Sequence, residues 1–426
     1  MNRRSPSPWR WIPSLYFGQG LPFVVVTSLS VVLYKNLGVS NTEIALYTSW
    51  LYLPWVIKPL WGPLVDLTGT RRRWIVALQF VVGAALAALA WTLPAPGFLR
   101  ASLAVLWLVA FASATHDIAA DGFYMLALPE KTQAAFVGVR STFFRLSMIG
   151  GQGGLVWLAG WLIERGDAPA QAWTLVLGGL AACFGALGAW HLAVLPRPPV
   201  DVPPPRRAAF WRDALEVFAA FFRRDDLLRV MAFLLLYRFA EAQLLKLVVP
   251  FLLDPPAAGG LGLRNQDVGL AYGTFGVIAL TAGGLLGGWV ISRVGLKRAL
   301  WPMLLAMNLP NLVYAALAWA QPGSLAVVTA ALALEQFGYG YGFAAYLVFM
   351  LMVAGGPDGE HEHKTAHYAL CTGIMALGMM LPGLGSGWLQ QQLGYLGFFA
   401  WIAVATLPSF AAAAFVRIDP AFGRRG

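Results

Sequence analysis

The chain has 426 residues, of which 58% are hydrophobic and 12% charged, and its formal net charge is +10. Soluble domains carry about 25% charged residues, so this composition excludes an ordinary soluble enzyme or binding module and fits an integral membrane protein. The basic excess sorts by loop rather than by patch, which excludes a nucleic-acid footprint.

A helix needs about 20 residues to cross a hydrocarbon core. In chain order, membrane-length apolar runs are predicted at 12–34, 42–66, 74–94, 101–128, 132–163, 171–195, 227–253, 267–292, 299–320, 323–354, 364–390 and 394–416. Such continuous runs exclude a barrel, whose strands alternate in short segments. Met1-Asn2-Arg3-Arg4 resembles the start of a signal peptide, but the apolar run behind it is too long and lacks a small-residue cleavage site. The first helix is therefore expected to stay.

The proline-rich stretch 196–226, with Pro203-Pro204-Pro205, reads as a linker between two six-helix bundles, 1–195 and 227–426. Within it, 210–222 is amphipathic enough to lie on a membrane surface. With a cytoplasmic amino terminus, twenty-one of the thirty Lys and Arg fall on the cytoplasmic side. Only Lys35, Arg100, Arg165 and Arg264 face the other side, so both termini are expected in the cytoplasm. Cys183 and Cys371 lie in predicted spans and imply no disulfide framework.

One loop pattern occurs twice. Gly62-Pro63-Leu64-Val65-Asp66-Leu67-Thr68-Gly69-Thr70-Arg71-Arg72 aligns without gaps on Gly288-Trp289-Val290-Ile291-Ser292-Arg293-Val294-Gly295-Leu296-Lys297-Arg298. Each copy joins the second and third helices of its half. This pattern, with twelve spans in a 6+6 repeat, resembles the major facilitator superfamily. The resemblance implies an all-α integral membrane fold of twelve transmembrane helices in two six-helix bundles. It also implies a central cavity lined by the first, fourth, seventh and tenth helices. Gly62, Asp66, Arg71, Arg72, Gly288 and Arg298 then form a conformational latch: small glycines allow close helix approach, and Asp66 caps a helix amino terminus. Ser292 replaces the acid in the second copy, so that latch is expected to be weaker.

Charges inside apolar spans are costly and usually face protein or a water-filled path. Lys58, Asp117, Asp121, Arg140, Arg145, Arg238, Glu241 and Glu335 are of this kind. The third, sixth, ninth and twelfth spans carry none and should face lipid. Asp117 and Asp121 share one helix face; two such carboxylates rarely both ionise, so one can hold a proton. His116 could relay it, and Arg145 could neutralise the pair; a static inter-helix salt bridge is the competing reading. Arg238 and Glu241 can pair along their helix, whereas Glu335 has no basic neighbour on its own. Asp117, Asp121, Glu241 and Glu335 are thus the proton-coupling candidates. Gln19, Lys58, Arg145, Arg238, Lys246, Gln336 and Tyr339 are the substrate-binding candidates. Arg140, two turns from the cytoplasm, reads as snorkelling. His361-Glu362-His363-Lys364-Thr365-Ala366-His367 has metal-like spacing but opens a loop-to-helix junction, where polar residues are expected anyway, so no metal and no cofactor are assigned. No nucleotide-binding or nucleophile motif occurs.

Three stretches carry a closer resemblance: Tyr16-Phe17-Gly18-Gln19-Gly20-Leu21-Pro22, Lys58-Pro59-Leu60-Trp61-Gly62-Pro63-Leu64-Val65-Asp66, and Ala114-Thr115-His116-Asp117-Ile118-Ala119-Ala120-Asp121-Gly122. They look like blocks of the AmpG-like muropeptide permeases. The resemblance implies import of peptidoglycan fragments with protons across the bacterial inner membrane, and marks Lys58, Asp117 and Asp121. The better-known members are longer by two helices, which leaves other amino sugars, oligosaccharides or anionic metabolites open as cargo. The expected partners are a small-molecule substrate, protons and the lipid bilayer, with no nucleic acid, and the chain reads as a monomer. The rivals are an effluxer, an intramembrane enzyme built on Asp117, Asp121 and His116, and a non-transporting sensor.

Overall fold

The computed structural model describes residues 7–199, 201, 210–355, 364–420 and 422–423. The chain there is helical, with no strand among the described residues. The first six spans are Pro8–Asn36, the pair Asn41–Trp50 and Leu53–Thr68, Arg71–Thr92, Phe98–Ala127, 130–164 and Pro169–Val194. The seventh is the pair Leu227–Leu236 and Phe239–Leu253. Asn265–Val294, Leu296–Ala320 and Leu325–Gly355 follow as the eighth, ninth and tenth. The eleventh begins as Lys364–Leu384, and Gly394, at φ +67°, makes the turn into the twelfth. Only a residue without Cβ takes that left-handed conformation at little cost.

Among the described residues ten helices are long and apolar enough to cross a membrane. The second and seventh spans are not among them because each is interrupted, at Leu51–Tyr52 and at Tyr237–Arg238. The third, sixth, ninth and twelfth spans expose large apolar side chains, Trp91, Trp190, Trp319 and Phe415 among them, as lipid-facing helices should. Phe210–Phe222 is a separate amphipathic helix that buries Phe221 and exposes Leu215 and Phe222.

By packing, the chain divides into two compact units. The first takes the chain up to Leu33 and again from Leu60 to the linker; the second takes Tyr34–Pro59 and the chain beyond the linker. In the first unit Trp11, Tyr16, Phe123 and Tyr124 form an aromatic core, with Trp11 and Phe123 edge to face at 5.4 Å. Beside it runs a buried polar chain across four helices. Ser14 Oγ meets His191 Nε2 at 2.9 Å, His191 Nδ1 meets Gln79 Oε1 at 2.8 Å, and Gln79 Nε2 meets His116 Nε2 at 3.2 Å. Such groups are tolerated in a dry interior because they bond to one another, although His116 Nδ1 has no partner among the described residues.

The second unit is held by close backbone approach. The tenth helix alternates its glycines: a Cβ on Gly340 would collide with the Leu280 carbonyl of the eighth helix, and one on Gly338 with the Ala306 carbonyl of the ninth. Gly283 of the eighth helix returns the contact against the Phe337 carbonyl. This is the small-residue packing that membrane helices use in place of a hydrophobic driving force.

Tyr34–Pro59, which the sequence alone assigns to the amino-terminal bundle, packs within this second unit. Gly387 lies against the Asn41 carbonyl and Gly373 against the Val56 carbonyl. Lys35 pairs with Asp254 at 2.5 Å, and Asn41 Nδ2 lies near Tyr395 (2.8 Å), Gln390 (3.1 Å) and Asp254 (3.2 Å).

Candidate functional site

The second unit gathers two acids and two bases in its interior. Glu335 and Glu241 are 0% and 1% exposed, and Arg238 and Lys246 are buried as well. Glu335 stands on the tenth helix, centred by the glycine packing just described. Its Oε2 accepts hydrogen bonds from the Tyr314 hydroxyl (2.8 Å) and from Gln336 Nε2 (2.9 Å), while its Oε1 has no partner among the described residues. Glu241 follows the break in the seventh helix, and neither of its carboxylate oxygens has a partner among the described residues.

The break that frees this corner has a tertiary cause, since no Pro or Gly occurs there. Tyr237 donates to the Gly342 carbonyl at 3.0 Å and stacks on Tyr346 with an 8° interplanar angle. Arg238 then takes non-helical angles (φ −112°, ψ 22°) and turns to the tenth helix. There it donates to the Tyr339 hydroxyl and lies over the Tyr339 and Phe343 rings at 5.2 and 4.8 Å. Lys246 donates to Thr48 Oγ1 at 3.0 Å and lies 4.8 Å from the Tyr52 ring. Among the described residues neither cation forms an ion pair with an acid. Three buried charges therefore rest on neutral partners and the fourth, Glu241, on none among the described residues, an arrangement in which an arriving proton or anion changes the balance strongly.

The first unit arranges its charges differently. Asp121 and Arg140 form an ion pair at 2.8 Å, with side chains 39% and 29% exposed. The Tyr16 hydroxyl donates to Asp121 Oδ1 at 3.3 Å. The sequence suggests snorkelling for Arg140; instead its guanidinium lies over two rings, 4.6 Å from Tyr16 and 5.1 Å from Tyr124. A nearby acid and two aromatic faces hold it better than a distant headgroup layer. Asp117 and Arg145 are half-buried in this unit, and Gln19 is buried with Oε1 lacking a partner among the described residues. Lys58 is half-buried and belongs by packing to the second unit.

The loop motif is only partly visible. The side chain of Asp66 lies outside the described residues, as do residues 361–363 of the histidine-rich stretch. No group of three or more metal-ligating side chains occurs among the described residues. The backbone amides of Arg71 and Arg72, at the start of the third helix, are capped by the linker residue Asp201 at 2.8 and 3.1 Å. Arg72 also reaches the Leu195 and Leu192 carbonyls at the end of the sixth helix. Gly62 and Gly288 have open space where a Cβ would stand, so close helix approach rests on Gly283 and Gly287 instead. Ser292 bonds back to the Trp289 carbonyl at 2.7 Å, and Arg298 is exposed.

Sequence reasoning missed Tyr314, Thr48, Tyr16, Tyr124, Gln79, His191 and Asp201. Each is an ordinary polar or aromatic residue whose role comes from a partner distant in the chain. Only the buried polar character of Gln79 and His191 inside apolar runs could have drawn notice.

Long helices, two of them interrupted, with buried charges held by neutral partners define a multi-pass membrane protein with a polar interior that can receive a solute. The sequence model of the Major Facilitator Superfamily matches residues 14–363, and the chain belongs to that superfamily. It is 26% identical over 402 residues to the anhydromuropeptide permease of Escherichia coli strain K12, covering 92% of this chain and 76% of that one. It is 23% identical to a putative transporter named AmpG 4 from Rickettsia conorii, covering 92% of each. Among solved structures it superposes on the D-xylose-proton symporter with a TM-score of 0.68 at 14% identity, covering 95% of each chain. The nucleoside transporter NupG gives 0.66 at 18%, covering 96% of this chain and 98% of that one. The chain is thus a transporter with a major facilitator fold, not an enzyme, and its substrate is a small molecule.

Proposed function

We propose that this chain imports peptidoglycan-derived muropeptides across the bacterial inner membrane by proton symport. Alternating access between the bundles 1–195 and 227–426, joined by the linker 196–226, carries the cargo. The observation that bears most on this reading is the pair Glu241 and Glu335, buried in one unit and bonded to no cation. A proton arriving there neutralises a buried charge, and the balance of charge in that unit changes with it. Arg145, Arg238 and Lys246 bind carboxylates of the cargo, and Gln19, Lys58, Gln336 and Tyr339 line its path. Asp117 and Asp121 are further proton sites. Asp66 with Arg71, Arg72 and Arg298 latches the cytoplasmic side, and both termini lie there. The name of the E. coli relative, an anhydromuropeptide permease, supports the cargo.

The test is uptake of labelled anhydromuropeptide into proteoliposomes with an inward proton gradient, intact chain against Glu335→Gln. Gradient-driven accumulation by the intact chain, lost in the variant, supports cargo and coupling together. Accumulation that survives in the variant moves the proton to Glu241 or Asp121. No uptake by well-folded intact protein rejects the muropeptide. A different amino sugar or oligosaccharide is then the next cargo to assay, favoured by the stretch of the E. coli relative that this chain does not match.

A further inference from the structure

The ion pair of the first unit carries more than its electrostatics. A guanidinium has five N–H donors in a planar fork suited to two oxygens at once. Arg140 uses a single one, Nη2 to Asp121 Oδ1 at 2.8 Å, and the others have no acceptor among the described residues. Tyr16 and Tyr124 hold the group by their rings, which leaves its donor edge, not its flat faces, for a ligand. Tyr124 is itself fixed, because its hydroxyl donates to the Gln133 carbonyl, and Gln133 bonds back to the Met125 and Leu128 carbonyls at 2.9 and 2.8 Å. The arginine is 29% exposed and its acid 39%, so neither is sealed inside the protein.

We propose that Arg140 is a binding residue for a carboxylate of the transported sugar, that Tyr16 and Tyr124 orient it, and that Asp121 stands in for that carboxylate when the site is empty. The proposal rests on the reading of the chain as an importer of anionic sugars. An incoming carboxylate that takes two donors of the fork replaces the one-point contact of Asp121 with a bidentate one, which is shorter, stronger and geometrically selective. The tyrosine rings are themselves buried and hold the guanidinium in place, so the ligand meets its donor edge alone. The exchange makes and breaks no covalent bond.

The test uses the purified full-length chain, titrated calorimetrically with N-acetylmuramic acid and with N-acetylglucosamine, which lacks the lactyl carboxylate. The intact chain should prefer the carboxylate sugar. Arg140→Gln should weaken that sugar roughly 10- to 100-fold, the worth of a hydrogen-bonded charge, and leave the neutral one unmoved. Arg140→Lys should restore part of the loss, and Asp121→Asn should tighten the carboxylate sugar by removing its competitor. An intact chain without preference overturns the proposal, as does an Arg140→Gln variant that binds as the intact chain does or loses both sugars equally. Should Arg140→Gln not fold, Arg140→Lys and Asp121→Asn decide by the same preference. Carboxylate-selective binding that depends on Arg140, found together with no muropeptide uptake, rejects the cargo and keeps this site.

Discussion

The two units treat buried charge in opposite ways. In the first, Asp121 is bonded to a cation and both partners reach solvent; in the second, Glu241 and Glu335 are fully buried and rest on nothing charged. A paired, half-exposed acid changes little when one proton is added, because water and the arginine already screen it. An acid surrounded by tyrosine and glutamine changes the local field greatly when it gains or loses a proton. The contrast makes the acids of the second unit the more sensitive to a single proton, while the arginine of the first keeps a partner of opposite charge. The units also differ in how they are held, by a polar side-chain chain in one and by glycine backbone contacts in the other.

The largest expected effect breaks this contrast directly. Glu335→Gln mimics the protonated acid, so solute exchange without a gradient should persist, while the accumulation driven by a proton gradient should fall roughly 5- to 150-fold, the span of a typical coupling free energy. Equal losses of exchange and accumulation would show a binding role instead. Next, Gly340→Ala should lower stability by about 1–3 kcal/mol, because its new methyl meets the Leu280 carbonyl. Gly288→Ala, with open space around it, should cost nothing measurable in the same thermal-unfolding assay. If both glycines behave alike, backbone approach is not what holds the second unit.

For the first unit, Gln79→Leu strips two buried imidazoles of their shared partner and should cost about 1–3 kcal/mol. An unchanged midpoint in thermal unfolding would make the polar chain incidental. The smallest effect belongs to Asp201→Ala, which uncaps the third helix and should cost about 1 kcal/mol. Local hydrogen exchange at Arg71 and Arg72 should rise with it, and protection that stays intact there would mean that another group caps this end.

Much of this protein is legible in its sequence. Runs of apolar residues dictate spans, because a bilayer admits no unsatisfied backbone, and the expected helices are present within a few residues of their predicted ends. The repeated loop and a lone carboxylate in the tenth apolar run, Glu335, are visible in the sequence alone. Tertiary structure alone decided which charges meet. Arg140 looked like a snorkelling residue until Asp121, Tyr16 and Tyr124 came beside it. Arg238 looked like a partner for Glu241 until the helix broke at Tyr237 and turned it to Tyr339. Residues 34–59 pack against the eleventh helix, whose glycines make room for them, a contact that no spacing along the chain announces. Spacing along one helix fixes a face, but the partner on that face stands on another helix, brought there by packing that no local pattern encodes.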